Sequence, residues 1–223
     1  GRSQTVAARA VVNALGRRPA ISGLGLDAAG IALDGGGIKV DFTQQTSAPH
    51  IYAAGDVCGP FEIVHLAIQQ GETAARNAAR RLRGEGEAPA RMDYRLKVFA
   101  VFTEPQMAAC GAHEAELHDA RRDFRSAKYP FADHGKSMTH GETDGFVKLL
   151  ADAATGEILG GAVVGPHASE LIHEVVVAMR YRSTVHEFAL IPHYHPTLSE
   201  IWTYPAENLA EICGKRSISR FPS

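Results

Sequence analysis

The stretch Gly84-Glu85-Gly86-Glu87-Ala88-Pro89-Ala90 constrains this chain more than any other. Two glycines and a proline within seven residues break a helix, and no large apolar residue is there to anchor a strand. A domain boundary is expected at this linker, dividing the chain into residues 1–85 and 91–215.

Before the linker the pattern mixes strands with one long helix. Residues 10–16, from Ala10 to Gly16, read as a short buried strand, and Arg17-Arg18-Pro19 breaks it. Ile31, Leu33, Ile38, Val40 and Phe42 lie on a period of two about Asp34-Gly35-Gly36-Gly37, the pattern of a β-hairpin with a glycine turn. Thr46-Ser47-Ala48-Pro49 leads into a further apolar strand, His50-Ile51-Tyr52-Ala53-Ala54, which stops at Gly55-Asp56. Residues 63–83 then read as a single helix. Ala67, Ile68, Gly71, Ala74, Ala75, Ala78, Ala79 and Leu82 give it a small-residue stripe suited to close packing on a sheet. Arg80, Arg81 and Arg83 fall in its last turn, where cations complement the helix dipole, and Gly84 suits the position just beyond. That basic end is therefore read as a helix terminus rather than a nucleic-acid patch.

After the linker, strands are expected at 98–102, 123–129, 145–150 and 158–164, with Thr155-Gly156 turning the last two into a hairpin. A helix is expected over 167–181, with Leu171, Ile172, Val175, Ala178 and Met179 on one face, and another over 198–212. Strands followed by helices imply an α+β domain rather than a doubly wound sheet.

Charge and cysteine content exclude several functions. Among 223 residues, 23 Lys+Arg stand against 25 Asp+Glu, for a net charge of −2. Bulk charge therefore recruits neither nucleic acid nor an anionic membrane. No apolar run is long enough to span a membrane, and the first twenty residues lack the apolar core of a signal peptide. Cys58, Cys110 and Cys213 form neither a disulfide framework nor a C-x-x-C pair, so a reducing, cytoplasmic setting is expected. Because Gly1 stands where a methionine would begin a gene product, the chain is expected to be part of something longer.

The chemistry concentrates at a few positions. Gly23-Leu24-Gly25-Leu26-Asp27-Ala28 has the form G-x-G-x-x-A, but Arg17-Arg18-Pro19 separates it from the preceding strand and a hairpin follows. A helix N-terminus for a pyrophosphate is therefore missing, and the segment is read as a loop. His193 and His195 are too few for a zinc site, and His173-Glu174 lacks a second histidine, so no metal is expected. His195-Pro196-Thr197-Leu198-Ser199-Glu200 is different. A histidine just before a helix and a glutamate in its first turn can meet, the carboxylate holding one ring nitrogen and leaving the other free for proton transfer. Capping by Thr197 or Ser199 with Glu200, beside an incidental histidine, is the competing reading. Asp56, after Gly55 at a strand end, suits either a ligand hydroxyl or an Asx turn.

Five segments in order carry a resemblance: Val11-Val12-Asn13-Ala14-Leu15-Gly16-Arg17-Arg18-Pro19, residues 46–57, Phe102-Thr103-Glu104-Pro105-Gln106, Gly145-Phe146-Val147-Lys148, and residues 195–200. Together they resemble the C-terminal half of the flavin-dependent pyridine nucleotide–disulfide oxidoreductases. Leu198-Ser199 is closer to the dihydrolipoamide dehydrogenase branch than to glutathione reductase, while Gln106 departs from the family's usual glutamate. The resemblance implies an antiparallel sheet with helices in the C-terminal interface domain, preceded by a remnant of the FAD/NAD-binding α/β region. It implies that Gly55 and Asp56 meet the ribityl chain of FAD, and that Ile63-Val64-His65 bring backbone amides toward the flavin's pyrimidine edge. It further implies a homodimer in which His195 serves as acid/base for a small dithiol or disulfide in the partner's site, oriented by Glu200. NAD(P) would be the hydride partner. The sequence contains no G-x-G-x-x-G, no C-x-x-x-x-C and no nicotinamide-binding βαβ unit. The isolated chain is therefore expected to be inactive and to bind neither FAD nor NAD(P), with both held only in an intact enzyme. The alternative from a different class is a free-standing, non-catalytic dimerisation module.

Overall fold

The computed structural model describes residues 3–215, and the chain divides into two compact units between Met92 and Asp93. Each has its own hydrophobic cluster.

In the first unit the expected strand at 10–16 is not formed. Val11, Val12 and Leu15 are 88%, 90% and 95% exposed, and no described segment pairs with them. An apolar run has strand character only where a neighbour takes its backbone hydrogen bonds. The hairpin does form, in short version: β1 (Leu33–Asp34) pairs with β2 (Gly37–Ile38), Leu33 facing Ile38. Gly35 and Gly36 both have positive φ, as a two-residue type I′ turn requires. Ile31 and Ile38 point inward against Ala48, with Leu26, Val40 and Ile51 around them, whereas Leu33 and Phe42 are exposed. The strand expected at 50–54 reduces to a single bridge between Gln45 and Tyr52. Its residues are consumed in a tight turn, in which the Thr46 hydroxyl bonds the carbonyls of Ala48 and Ile51.

Helix α1 (Val64–Arg83) ends at Gly84, whose φ of 67° is left-handed and whose N–H reaches the carbonyls of Arg80 and Arg81. Its inward face corrects the expectation. Leu66, Gln70 and Asn77 are buried, while Ile68 and Leu82 of the small-residue stripe are 57% and 89% exposed. The only sheet among the unit's described residues has two strands and offers no surface for that stripe. Two amides do the gripping instead. Gln70 Oε1 accepts from Gly55 N at 2.7 Å and its Nε2 donates to Gly59 O at 2.8 Å. Asn77 Nδ2 donates to Thr43 O and Ala90 O, and its Oδ1 accepts from Ala90 N. The glycine-rich stretch is also tied to α1, Arg80 donating to Ala88 O at 2.9 Å.

The second unit is an α+β domain on a five-stranded antiparallel sheet. Its strands are β3 (Val98–Val101), β4 (Gln106–Gly111), β5 (Phe124–Pro130), β6 (Phe146–Asp152) and β7 (Ile158–Gly165). They lie in the order β3-β4-β7-β6-β5, with Val98 opposite Cys110, Met107 opposite Val164, Leu149 opposite Gly161 and Tyr129 opposite Val147. Short helices α2 (Glu114–Asp119) and α3 (Gly135–His140) interrupt the strands. Then follow α4 (Ala168–Arg180), α5 (Val185–Phe188) and α6 (Thr203–Ile212), a 3-10 turn at Ser199–Trp202 leading into the last. Leu171, Ile172, Val175, Ala178 and Met179 of α4 are all buried. Val175 comes so close to the sheet that a Cβ on Gly161 would sit 3.0 Å from its Cγ1. The core joins Val147, Leu149, Val163, Ile172, Met179, Phe188 and Trp202, and Trp202 donates to Leu171 O at 3.0 Å. Among the described residues no helix is long and apolar enough to cross a membrane.

Candidate functional site

In the second unit, residues following β5 and residues preceding α6 build one site. Phe131, fully buried, anchors the 3-10 turn Phe131–Asp133 that follows β5, and His134 comes next with no exposed surface. Its Nδ1 lies 2.9 Å from Ser137 Oγ, also buried. Glu200 sits in the 3-10 turn Ser199–Trp202, flanked by the fully buried Ile201 and Trp202. Its carboxylate reaches two histidines. Oε2 is 2.9 Å from His195 Nδ1, and Oε1 is 3.4 Å from His134 Nε2.

These groups differ sharply in exposure. The His195 side chain is 79% exposed and that of Glu200 13%. A carboxylate held inside thus grips one nitrogen of an imidazole that stands outside. With the proton on Nδ1 directed at Glu200, Nε2 keeps its lone pair and faces outward, the arrangement of a general base. Burial pushes the His134 imidazole below the ordinary histidine range, outweighing the upward pull of Glu200. The capping alternative is not what forms: Thr197 Oγ1 and Ser199 Oγ lie 3.2 Å from one another, and Leu198 caps nothing with its side chain. The His195–Pro196 peptide is cis.

His193 turns away from His195, its Nε2 lying 2.6 Å from Glu174 Oε1 and its Nδ1 3.1 Å from Thr203 Oγ1. No group of three or more potential metal ligands occurs among the described residues. Gln106 accepts from the Ser169 N–H and hydroxyl at the start of α4, a task its neutral amide oxygen performs without a charge. Sequence reasoning missed His134; the only cue was a serine three residues on.

In the first unit Gly55 and Asp56 form a 3-10 turn with Val57. Arg17 binds that turn to the start of α1: Nη1 lies 3.5 Å from Asp56 Oδ2, Nε 3.0 Å from Glu62 Oε2, and Nη2 donates to Glu62 O at 2.6 Å. Ile63 stands at the N-cap without a side-chain hydrogen bond, and Val64 is 77% exposed. The twenty-residue helix therefore begins without a side-chain hydrogen bond from its N-cap residue. A half-exposed carboxylate beside such a terminus fits one edge of a flavin nucleotide: Asp56 to accept from sugar-like hydroxyls, the N–H groups to face an electron-rich ring edge. Residues 23–28 form turns rather than a strand–helix junction, so they offer a pyrophosphate no helix N-terminus. Burial pushes the Cys58 thiol up to about 11 and the Cys110 thiol to about 12, and it raises Cys213 as well. All three cysteines are free, and none is poised as a thiolate.

Comparison with known proteins defines the class. The dimerisation domain of the pyridine nucleotide–disulphide oxidoreductases matches residues 99–206, and the family's pyridine nucleotide–disulphide oxidoreductase region matches residues 1–71. The chain belongs to the pyridine nucleotide–disulphide oxidoreductase family, corresponding to its C-terminal part. More particularly, it is 39% identical over 201 residues to the dihydrolipoyl dehydrogenase of Mycobacterium leprae, covering 90% of this chain and 42% of that protein. Dihydrolipoyl dehydrogenase of Thermus scotoductus is 39% identical over 210 residues, covering 94% and 44%. The crystal structure of LpdA from Mycobacterium tuberculosis superposes with a TM-score of 0.75 at 35% identity, over 88% of this chain and 42% of that one. RclA from Escherichia coli, an HOCl-induced flavoprotein disulfide reductase, superposes with a TM-score of 0.72 at 25% identity, over 87% and 44%. The chain thus spans less than half the length of these relatives.

Proposed function

We propose that this chain supplies the acid/base histidine, the subunit contact and one edge of the flavin site of a dihydrolipoamide dehydrogenase-like disulfide reductase. Residues 1–85 belong to the FAD/NAD(P)-binding region and 91–215 to the interface domain in this reading. The family matches at 1–71 and 99–206 support that division.

The observation that carries the reading is the His195–Glu200 pair, with its exposed imidazole and sheltered carboxylate. His195 Nε2 takes the proton from one thiol of a dithiol as the thiolate forms, and returns it in the reverse direction. Glu200 keeps the ring in the tautomer able to do so. Bound FAD would supply the two-electron relay between a cysteine pair and NAD(P). Toward it, Asp56 would accept from hydroxyls beside Gly55, which Gln70 holds, and the amides at Ile63, Val64 and His65 would meet the ring edge. An exposed His195 suits a homodimer in which the histidine enters the partner's site.

In the flavoenzyme that carries this sequence, His195→Ala should lower dihydrolipoamide-dependent reduction of NAD by about 10²- to 10⁴-fold. Unchanged turnover would remove the assignment.

A further inference from the structure

Glu200 has two carboxylate oxygens, and His195 uses one. The other points at His134, a ring with no solvent contact. We infer that His134 is a positioning residue, whose Nε2–H is directed at Glu200 Oε1 so that Oε2 selects the Nδ1–H tautomer of His195.

Three observations combine. First, Ser137 and His134 are both fully buried with Nδ1 2.9 Å from Oγ. A serine hydroxyl donating to Nδ1 leaves the ring proton on Nε2. Second, His134 Nε2 has no tight hydrogen-bond partner among the described residues; Glu200 Oε1, 3.4 Å away, is the acceptor within reach. The opposite tautomer would set a nitrogen lone pair against a carboxylate oxygen, which is repulsive. A buried N–H instead gains its partner by a closure of a few tenths of an ångström. Third, the ring cannot easily leave. Tyr204 packs against it edge-on at 6.2 Å and itself stacks on Tyr129 at 4.0 Å.

The consequence runs through Glu200. A carboxylate fixed by one donor can turn about its last bond; a second donor on the other oxygen removes that freedom. His195 then meets a fixed acceptor at Nδ1, and its Nε2 stays unprotonated. Any effect on turnover rests on the acid/base reading of His195 given above, but the tautomer does not.

The test is ring-nitrogen NMR of the ¹⁵N-labelled chain at about pH 8.5, where imidazoles are neutral. The Nδ1–H form of His195 should predominate. His134→Leu, which keeps the volume and removes the donor, should lower the ratio of Nδ1–H to Nε2–H by about threefold or more. His134→Gln, with an amide near the place of Nε2, should restore most of it. A ratio unchanged in folded His134→Leu overturns the inference. Should that variant fail to fold, the His134 signals of the unmodified chain decide in the same spectrum: the inference requires the ring proton on Nε2, and a His134 found in the Nδ1–H form overturns it equally. A tautomer shift beside an undiminished turnover of His195→Ala would sink the acid/base reading alone. A missing shift beside a large loss of turnover would sink only the inference about His134.

Discussion

Oε2 of Glu200 lies 2.9 Å from Nδ1 of His195 across a boundary between interior and solvent. The 3-10 turn that carries Glu200 is pinned by Ile201 and Trp202, both fully buried. Its carboxylate therefore cannot follow the imidazole outward, and the ring must come to it. Glu200→Gln preserves the shape but can present its NH₂ to Nδ1, favouring the wrong tautomer. In the disulfide reductase proposed above it should cost about a hundredfold in kcat, with KM little changed, in steady-state assays of dithiol oxidation. A loss below about twofold would mean that Glu200 does not orient the base.

How much of this was legible depended on whether the signal was local. Helices α1 and α4 announced themselves through apolar spacing and, for α1, through Gly84 at its end. His195 and Glu200 are close in sequence, so their meeting could be read from spacing. Strand β4 escaped because Ala108-Ala109-Cys110-Gly111 lacks the bulky residues that mark strands, though it lies inside the sheet between β3 and β7. Residues 10–16 failed in the opposite direction: an apolar run does not say whether a neighbour exists. The inward face of α1 also escaped. Its alanines carry the visible pattern, while Gln70 and Asn77, whose value lies in backbone groups far off in sequence, are buried with Leu66. His134 is hidden for the same reason, since its acceptor belongs to a different segment of the fold.

Asn77 is the clearest test of that polar face. It is 4% exposed and serves Thr43 O, Ala90 O and Ala90 N. Asn77→Ala leaves buried backbone groups without partners, at about 1–3 kcal/mol. Hydrogen exchange should show the Ala90 amide losing protection, and the urea midpoint of the first unit should fall. An Ala90 amide as protected as before would show that other groups hold this segment.

Exposed apolar residues after α5 offer a test of the proposed homodimer. Leu190 and Tyr194 are 83% and 84% exposed, and Ile191 43%, a costly display for a surface meant for water. Sedimentation of the chain should show a dimer, and Leu190→Asp should shift it toward monomer. A parent chain that sediments as a monomer at tens of micromolar would count against a homodimer built through this domain.

Asp152 makes the β6–β7 hairpin sensitive to acid. Burial alone would raise its carboxyl, but the Thr155 hydroxyl, the Thr155 N–H and Arg122 outweigh burial and hold it below the ordinary range. Oδ1 accepts from Ala154 N, Thr155 N and Thr155 Oγ1, and Oδ2 from Arg122. A folded-state pKa below the unfolded one gives stability that is complete above the ordinary carboxylate value of about 3.9. That stability is lost as pH falls through the depressed value. Asp152→Asn should lower stability at pH 7 by about 1 kcal/mol, and denaturation curves of the two proteins should converge below about pH 4. A difference that stays constant across that range would assign the effect to shape rather than charge.

Gly165 ties the sheet to the buried histidine. It ends β7 with a φ of 152°, and a Cβ there would lie 2.3 Å from Phe131 Cε2. Phe131 is fully buried and anchors the turn that delivers His134, so the ring cannot move aside without moving that turn. Gly165→Ala should cost about 3 kcal/mol or more, from overpacking and backbone strain together. Gly141→Ala provides the comparison: Gly141 is also left-handed, at φ 72°, but has open space where the methyl would go. Only the conformational cost of about 1 kcal/mol applies there. Thermal unfolding should therefore separate the two variants clearly. Equal melting temperatures would show that Phe131 yields to the methyl, and that His134 is held from its Ser137 and Tyr204 side instead.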